Sequence, residues 1–381
     1  MHRHPSSARP SGLVPGAPDP EGEIPAVATP RPETEGADRP QSGTPAWRTG
    51  IRRVIRSAAQ PGTWRRGPIL TALALLLGLL LLLHAQITDR AGLGSLVETF
   101  LPWFGLFVPL LLAPALWRRS PSAVLALLLP AVVWLNLFGG LLSDKSHSGG
   151  DLTVVSHNVD ADNPDPTGTA RRLAASGADV LALEEVTAQA KPLYEKELAT
   201  AYPYHTVQGT VGLWSTLPLS DTRPVDIKMD AGPLGNTKPL DVKMTYNRAL
   251  RATVATRQGP LAVYVAHLGS VRVLPSTGFW TESRNRGATA LAQALAAEQN
   301  ERVVLLGDLN GTTDDRAFHP ITSRLRSAQD VAGDGFGFSW PARFPVARID
   351  QILVRGVKPV SSWVLAATGS DHRPVAAAIS W

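Results

Sequence analysis

Residues 302–312 read "RVVLLGDLNGT". Val303 to Leu306 form a short apolar run of the kind that makes a strand, and the run stops at Gly307 and opens into Asp308 and Asn310. Alone, "GDLNG" also describes an Asx-capped turn. The ending recurs elsewhere in the chain. "DLTVVSHNVDAD" (151–162) is an apolar strand that stops at His157, Asn158 and Asp160, and "ADVLALEEV" (178–186) stops at Glu184 and Glu185. "GPLAVYVAHLGS" (259–270) stops at His267, and "ARIDQILV" (347–354) carries Asp350 in a strand-like run. "GSDHRPVAAAIS" (369–380) sets Asp371 and His372 at the mouth of a last strand. If these strands are neighbours, their polar ends converge on one site.

Two helices are expected between them. "GTARRLAASG" (168–177) stops at Gly177, and "RGATALAQALAAEQNE" (286–301) is helical by period and composition. Carboxylate and amide oxygens at strand ends suit a hard divalent cation, Mg²⁺ or Mn²⁺, with room for water and phosphate. A chain without cysteine offers no thiolate to favour zinc, no cysteine nucleophile and no disulfide framework. A His–Asp pair beside such a cation can orient or deprotonate a water for attack on phosphorus.

Composition divides the 381 residues into three parts. Residues 1–67 are rich in Pro, Gly, Ser, Thr and charge, with too little apolar surface to offset chain entropy, and are expected to be a disordered cytoplasmic tail. Residues 68–143 are strongly apolar, and residues 151–381 have the mixed composition of one sizeable globular domain. The net charge of +5 belongs to the first 150 residues, with 14 basic against 9 acidic side chains, whereas 151–381 balances 23 against 23. A neutral domain weakens a nucleic-acid reading without removing it, since a basic patch can exist locally.

Three apolar stretches are long enough to cross a bilayer as helices: Pro68 to Ile87, Thr99 to Trp117 with three prolines, and Pro121 to Ser143. Arg52, Arg53, Arg56, Arg65 and Arg66 precede the first, Arg90 alone with Asp89 follows it, and Arg118 and Arg119 separate the second from the third. Basic flanks on one side and three crossings put the C-terminal domain outside a plasma membrane. A re-entrant second segment would reverse that orientation.

Taken in order, "SHNVDAD", "DVLALEEV", "VYVAHL", "VVLLGDLNGT", "RIDQIL" and "GSDHRPV" resemble the ordered motifs of the endonuclease/exonuclease/phosphatase superfamily across residues 151–381. The resemblance implies an α/β fold, a four-layered sandwich of two face-to-face mixed sheets with outer helices, and divalent-metal phosphoester hydrolysis. It implies Glu185 as principal metal ligand, with Asn158, Asp160 and Asp371 around the metal and Glu184 behind it. Asp308 and Asn310 would position the attacking water and the phosphoryl oxygens, Asp350 would orient His372, and His267 would contact phosphate. Either His372 or Asp308 takes the proton from water. Arg248, Arg251, Arg284 and Arg286 are further candidates to face phosphate, and Trp280, Phe338 and Trp340 to form an apolar rim. The tyrosine common in the middle of many members has no evident counterpart near "VGLWSTLPLSD" (211–221).

The superfamily covers nucleases, sugar and inositol phosphatases and sphingomyelinase-like lipases, so the fold alone names no substrate. The linker "DKSHSGG" (144–150) holds the domain close to the bilayer, where lipid-linked phosphates and pyrophosphates are concentrated. The arrangement, with "HNVDADNPDP" (157–166), resembles actinobacterial membrane proteins of the VanJ type associated with teicoplanin resistance. It implies a phosphorylated envelope lipid, such as a polyprenyl pyrophosphate, as substrate and the lipid bilayer as partner. A tethered nuclease acting on nucleic acid and a non-catalytic envelope-binding module are the alternatives.

Overall fold

The structure, a computed structural model, describes residues 66–227, 248–275 and 278–381. The proline-rich tail, apart from Arg66 and Gly67, lies outside the described residues. The described chain falls within a single packed unit, Ile55–Trp381.

The apolar region folds as helices α1 (Pro68–Leu83), α2 (Leu93–Thr99), α3 (Phe107–Trp117), α4 (Pro121–Ala126) and α5 (Leu128–Phe138). Two helical stretches, Pro68–Gln86 and Pro121–Leu142, are long and apolar enough to cross a membrane. The middle stretch differs from a straight span. Arg90–Thr99 and Leu101–Trp117 meet at a 66° bend, next to Pro102, which lacks the N–H that would carry an α-helix through that point. Thr71 Oγ1 donates to Ser122 Oγ at 3.0 Å, and a Cβ on Gly67 would stand 3.1 Å from Ser120 Oγ. Arg66 and the Arg118–Arg119 turn therefore share one end of the bundle.

After the linker come β1 (Leu152–Asn158), β2 (Val180–Glu184), β3 (Tyr204–Gln208), β4 (Val211–Ser215), β5 (Leu219–Pro224), β6 (Ala249–Thr256) and β7 (Gly259–Ala266). They are followed by β8 (Arg272–Leu274), β9 (Gly278–Trp280), β10 (Val303–Asp308), β11 (Arg326–Ser327), β12 (Asp350–Arg355), β13 (Lys358–Val364) and β14 (Val375–Ser380). One six-stranded sheet has the order β13-β14-β1-β2-β4-β3 and the second β11-β12-β10-β7-β6-β5, while β8 and β9 pair as a separate two-stranded sheet. Each central strand, β1 or β10, is antiparallel to one neighbour and parallel to the other.

The inner faces meet in a core of Val154, Ala182 and Leu213 against Leu250, Val263, Leu306 and Ile352. On the outer face of the first sheet lie α6 (Pro166–Ala174) and α7 (Lys191–Leu198), and on that of the second lies α8 (Glu282–Ala297). Four layers result, as expected. Each fully buried Leu or Val contributes on the order of 1.5–3 kcal/mol relative to exposure. Helix α6 starts where expected: Asp165 accepts from Gly168 N at 2.8 Å, and Gly177, at φ 70°, ends the turn that follows. The linker is held down, with His147 N donating to Val360 O at 2.9 Å and Lys145 Nζ to Asp330 O at 2.8 Å.

Candidate active site

Register brings the strand ends together. Asn158 lies opposite Glu184 on the parallel β1–β2 pair, and Asp308 lies opposite Asp350 on the antiparallel β10–β12 pair. Stacking of the two sheets then sets the β1 end against the β10 end. Asn158 Nδ2 bridges them, donating to Asp308 Oδ2 at 3.0 Å and to Glu185 Oε1 at 3.3 Å. The second Glu185 oxygen accepts from Ala161 N at 2.9 Å.

Around this bridge stand the other expected residues. His267 Nε2 is 3.6 Å from Asp308 Oδ2 and 3.7 Å from Glu185 Oε1. Asn310 donates through Nδ2 to Asp308 Oδ2 at 3.2 Å and to Leu268 O at 3.1 Å. His372 Nδ1 lies 2.9 Å from Asp350 Oδ2, and its Nε2 points toward Asp308 Oδ2 at 3.8 Å. Asp308, Asp350 and His372 are all buried and could hold a cation among them. Asp350, however, already accepts from Ser339 Oγ at 2.5 Å and faces His372, so orientation of the imidazole accounts for its place.

Two acids sit at the rim. Asp160 donates through its backbone N to Asn158 Oδ1 at 3.0 Å. Asp371 is exposed, with its carboxylate 3.3 Å from Trp340 Nε1 and 3.9 Å from His372 Nε2. Glu184 is buried behind Glu185, accepting from Ser156 Oγ at 3.0 Å, and its second oxygen has no hydrogen-bond partner among the described residues.

So much buried acid leaves a signature in the protonation equilibria. Burial pushes Asp308 up to about 7; Asp350 adds to the rise, while His372 and Asn158 oppose it. Burial, with Asp350 and Asp308 adding, holds Glu184 well above the usual carboxylate range. Burial alone would lower His372, but Asp350 and Asp308 outweigh it and lift the ring to about 10. Burial lowers His157 to about 3, a neutral ring whose Nε2 meets Thr368 Oγ1 at 2.9 Å. Closely packed oxygen donors that must otherwise keep protons are the donor set a hard divalent cation relieves.

Of the four arginines, Arg248 meets His267 at 2.5 Å and so belongs to the site. Arg251 does not: it points out of its strand onto Glu298, at 3.0 Å, and onto Asp221. Arg284 is fully buried on Asp315 at 2.7 Å, behind the Asn310 turn. Arg286 reaches Glu282 at 3.7 Å on the outer side of α8. Trp340 stands at the rim beside Asp371. Phe338 instead stacks on Trp103, with ring centroids 5.6 Å apart, and Trp280 lines a separate cleft of about 640 Å³ with Asp89 and Asn285.

Sequence reasoning missed Ser339, which holds Asp350, and Ser370, whose hydroxyl donates to Asn158 O at 2.6 Å and accepts from His372 N at 3.0 Å. Ser370 lies within the "GSDHRP" motif and was within reach of the sequence; Ser339 carries no local signal.

Two mixed sheets meeting at a His–Asp site crowded with acid define a hydrolase-type α/β sandwich. The chain belongs to the endonuclease/exonuclease/phosphatase family, which it matches over residues 155–372. None of the curated proteins matches it. Among similar solved structures is an endonuclease/exonuclease/phosphatase from Bacteroides vulgatus, at 17% identity and TM-score 0.46, over 61% of this chain and 99% of that one. TDP2 of D. rerio, complexed with single strand DNA product, aligns at 18% identity and TM-score 0.48, over 60% of this chain and 99% of that one. Sphingomyelinase C from Streptomyces griseocarneus aligns at 20% identity and TM-score 0.43, over 61% of this chain and 99% of that one.

Proposed function

We propose that the protein is a membrane-anchored phosphoesterase, dependent on Mg²⁺ or Mn²⁺, that hydrolyses a phosphate or pyrophosphate ester of a lipid-linked envelope intermediate at the outer surface of the plasma membrane. The observation that carries the reaction class is the file Asp350–His372–Asp308 running into the Asn158–Glu185 bridge.

In this reading Glu185, Asn158 and Asp160 hold the cation, with Asp371 reaching it from the rim. A cation held there would supply Lewis-acid stabilisation of the negative charge that develops on the phosphoryl oxygens. Asp350 takes the His372 Nδ1 proton in a hydrogen bond and turns Nε2 toward Asp308. A water between Nε2 and Asp308 loses its proton to Asp308 as it attacks, while the His372 ring, lifted to about 10, keeps its proton and orients the water. His267, Arg248 and the Asn310 amide supply donors to the phosphoryl oxygens.

Support for the location comes from the helices. Arg316 of the globular domain donates to His84 O at 3.0 Å and to Ile87 O at 2.5 Å, at the end of the first apolar helix. The loop after that helix and the domain after the third thus share one side, which requires an even number of crossings between them. With Pro121–Leu142 as a span, the bent middle stretch then crosses too, which argues against a re-entrant segment. The basic residues at the far end of the bundle put that end in the cytoplasm by the positive-inside rule. The architectural resemblance extends the reading to a part in glycopeptide resistance.

The test is phosphate release by purified full-length protein with Mg²⁺, offered polyprenyl pyrophosphate and DNA in parallel. Phosphate should come from the lipid, and Glu185→Ala and His372→Ala should each lower the rate by about 10²–10⁴-fold. DNA cleavage with an inert lipid would replace this reading by a tethered nuclease. Phosphate release that is equal in wild type and both variants would sink the assignment of Glu185 and His372, and activity on neither substrate would leave the reaction class standing with another phosphoester as its substrate.

A further inference from the structure

By sequence, α2 belongs to the apolar region, yet it is bolted to the globular domain. Glu98 is completely buried and receives four hydrogen bonds from Arg316: from backbone N at 3.1 Å, from Nε at 3.0 and 3.2 Å, and from Nη2 at 2.7 Å. One turn earlier, Ser95 Oγ accepts from Arg284 Nη2 at 2.9 Å. The same guanidinium pairs with Asp315 at 2.7 Å, lies over the Phe318 ring, and donates through Nη1 to Asn310 O at 3.3 Å. Segment 310–316 is thereby held at both ends, by Arg284 on its first carbonyl and by Glu98 on its last residue.

Its first residue is Asn310, which meets Asp308 in the site. Asn310 has φ 51°, a left-handed conformation that costs a non-glycine residue on the order of 1 kcal/mol and persists only where the surroundings hold it. With that backbone fixed, the amide reaches both Leu268 O and Asp308 Oδ2.

We infer that α2 is a positioning element of the catalytic site, acting through Arg284 and Arg316 on segment 310–316, so that the membrane region completes the site as well as anchoring it. The inference rests on the phosphoesterase reading. Arg284 and Arg316 touch no reacting atom; they are positioning residues.

The test uses full-length protein in detergent micelles with Mg²⁺ and bis(p-nitrophenyl) phosphate, a soluble phosphodiester, so that no loss can come from failed delivery of a lipid. Ser95→Ala and Glu98→Gln should each lower kcat about tenfold at unchanged KM, since small misplacements of a catalytic group carry penalties of that order. Hydrogen exchange at amides 309–316 should quicken in both while β1 stays protected. Arg171→Ala, in an exposed pair with Glu197, should change neither readout. Should Glu98→Gln fail to fold, Ser95→Ala, which deletes a single hydroxyl, decides alone. Unaltered exchange at 309–316 overturns the inference, and so does quicker exchange with kcat intact. Wild-type protein inert toward every phosphoester defeats the phosphoesterase reading instead, and the exchange comparison still decides whether α2 holds the segment.

Discussion

Asp160, Glu185 and Asn310 have φ of 64°, 60° and 51°, left-handed values that side-chain-bearing residues rarely adopt. All three belong to the candidate site, where the strained backbone aims their oxygens; Ala91, Arg119 and Asp221 share the conformation elsewhere. The same residues crowd negative charge, and that has a pH consequence. Asp308, at about 7 in the fold, and Glu184, held well up, return to ordinary carboxylate values on unfolding, so the folded protein keeps protons that the unfolded chain has lost. His372, lifted from 6.5 to about 10, acts in the same sense above neutrality. His157, lowered from 6.5 to about 3, acts oppositely, but only below the pH at which an unfolded histidine protonates. Without divalent cations, stability should therefore fall from about pH 6.5 to about pH 8.5. Mg²⁺ should recover about 5 °C or more of the melting midpoint at the higher pH and less at the lower, measured by scanning calorimetry. Failure of Mg²⁺ to act more strongly at high pH would count against a cation among these carboxylates. Nearly every acid and imidazole here was legible in the sequence, because each stands at one end of an apolar run, Glu185 and Asp308 after it and Asp350 and His372 before it. Arg251 was not, since its partners Glu298 and Asp221 are distant in sequence and nothing local tells an outward-facing arginine from one that faces phosphate.

At the level of elements, the two sheets repeat one plan: a central strand, a parallel neighbour, and antiparallel strands beyond. The site forms where the two central strands end. Strand content and the sandwich could be read from the apolar runs and the motifs together; the register that faces Asp308 with Asp350 could not, because it depends on long-range pairing. On the other side of β10, Gly307 marks a close approach to β7. Its φ is 149°, and a Cβ there would stand 1.9 Å from Ala266 O on the adjacent β7. Gly307→Ala should cost about 3 kcal/mol or more in chemical denaturation, with loss of activity from displacement of Asp308. A variant of native stability would show that β7 and β10 can part without consequence.

For the whole molecule, the membrane orientation can be read directly, because the chain has no cysteine of its own. On intact cells, a membrane-impermeant maleimide should label Lys196→Cys in the globular domain and leave Arg118→Cys in the basic turn unlabelled. The reverse pattern would place the globular domain in the cytoplasm. The three apolar stretches were plain in the sequence. The grip of the domain on α2 was not, since Glu98 and Arg316 are 218 residues apart and sit in segments of different character. The seven-residue linker, pinned through His147 and Lys145, removes the slack that a free tether would provide. If the substrate is the membrane lipid proposed above, a site carried at fixed height above the bilayer would meet it by lateral diffusion in two dimensions. Its turnover would then follow the number of lipids per unit of membrane area and be indifferent to the volume of water outside.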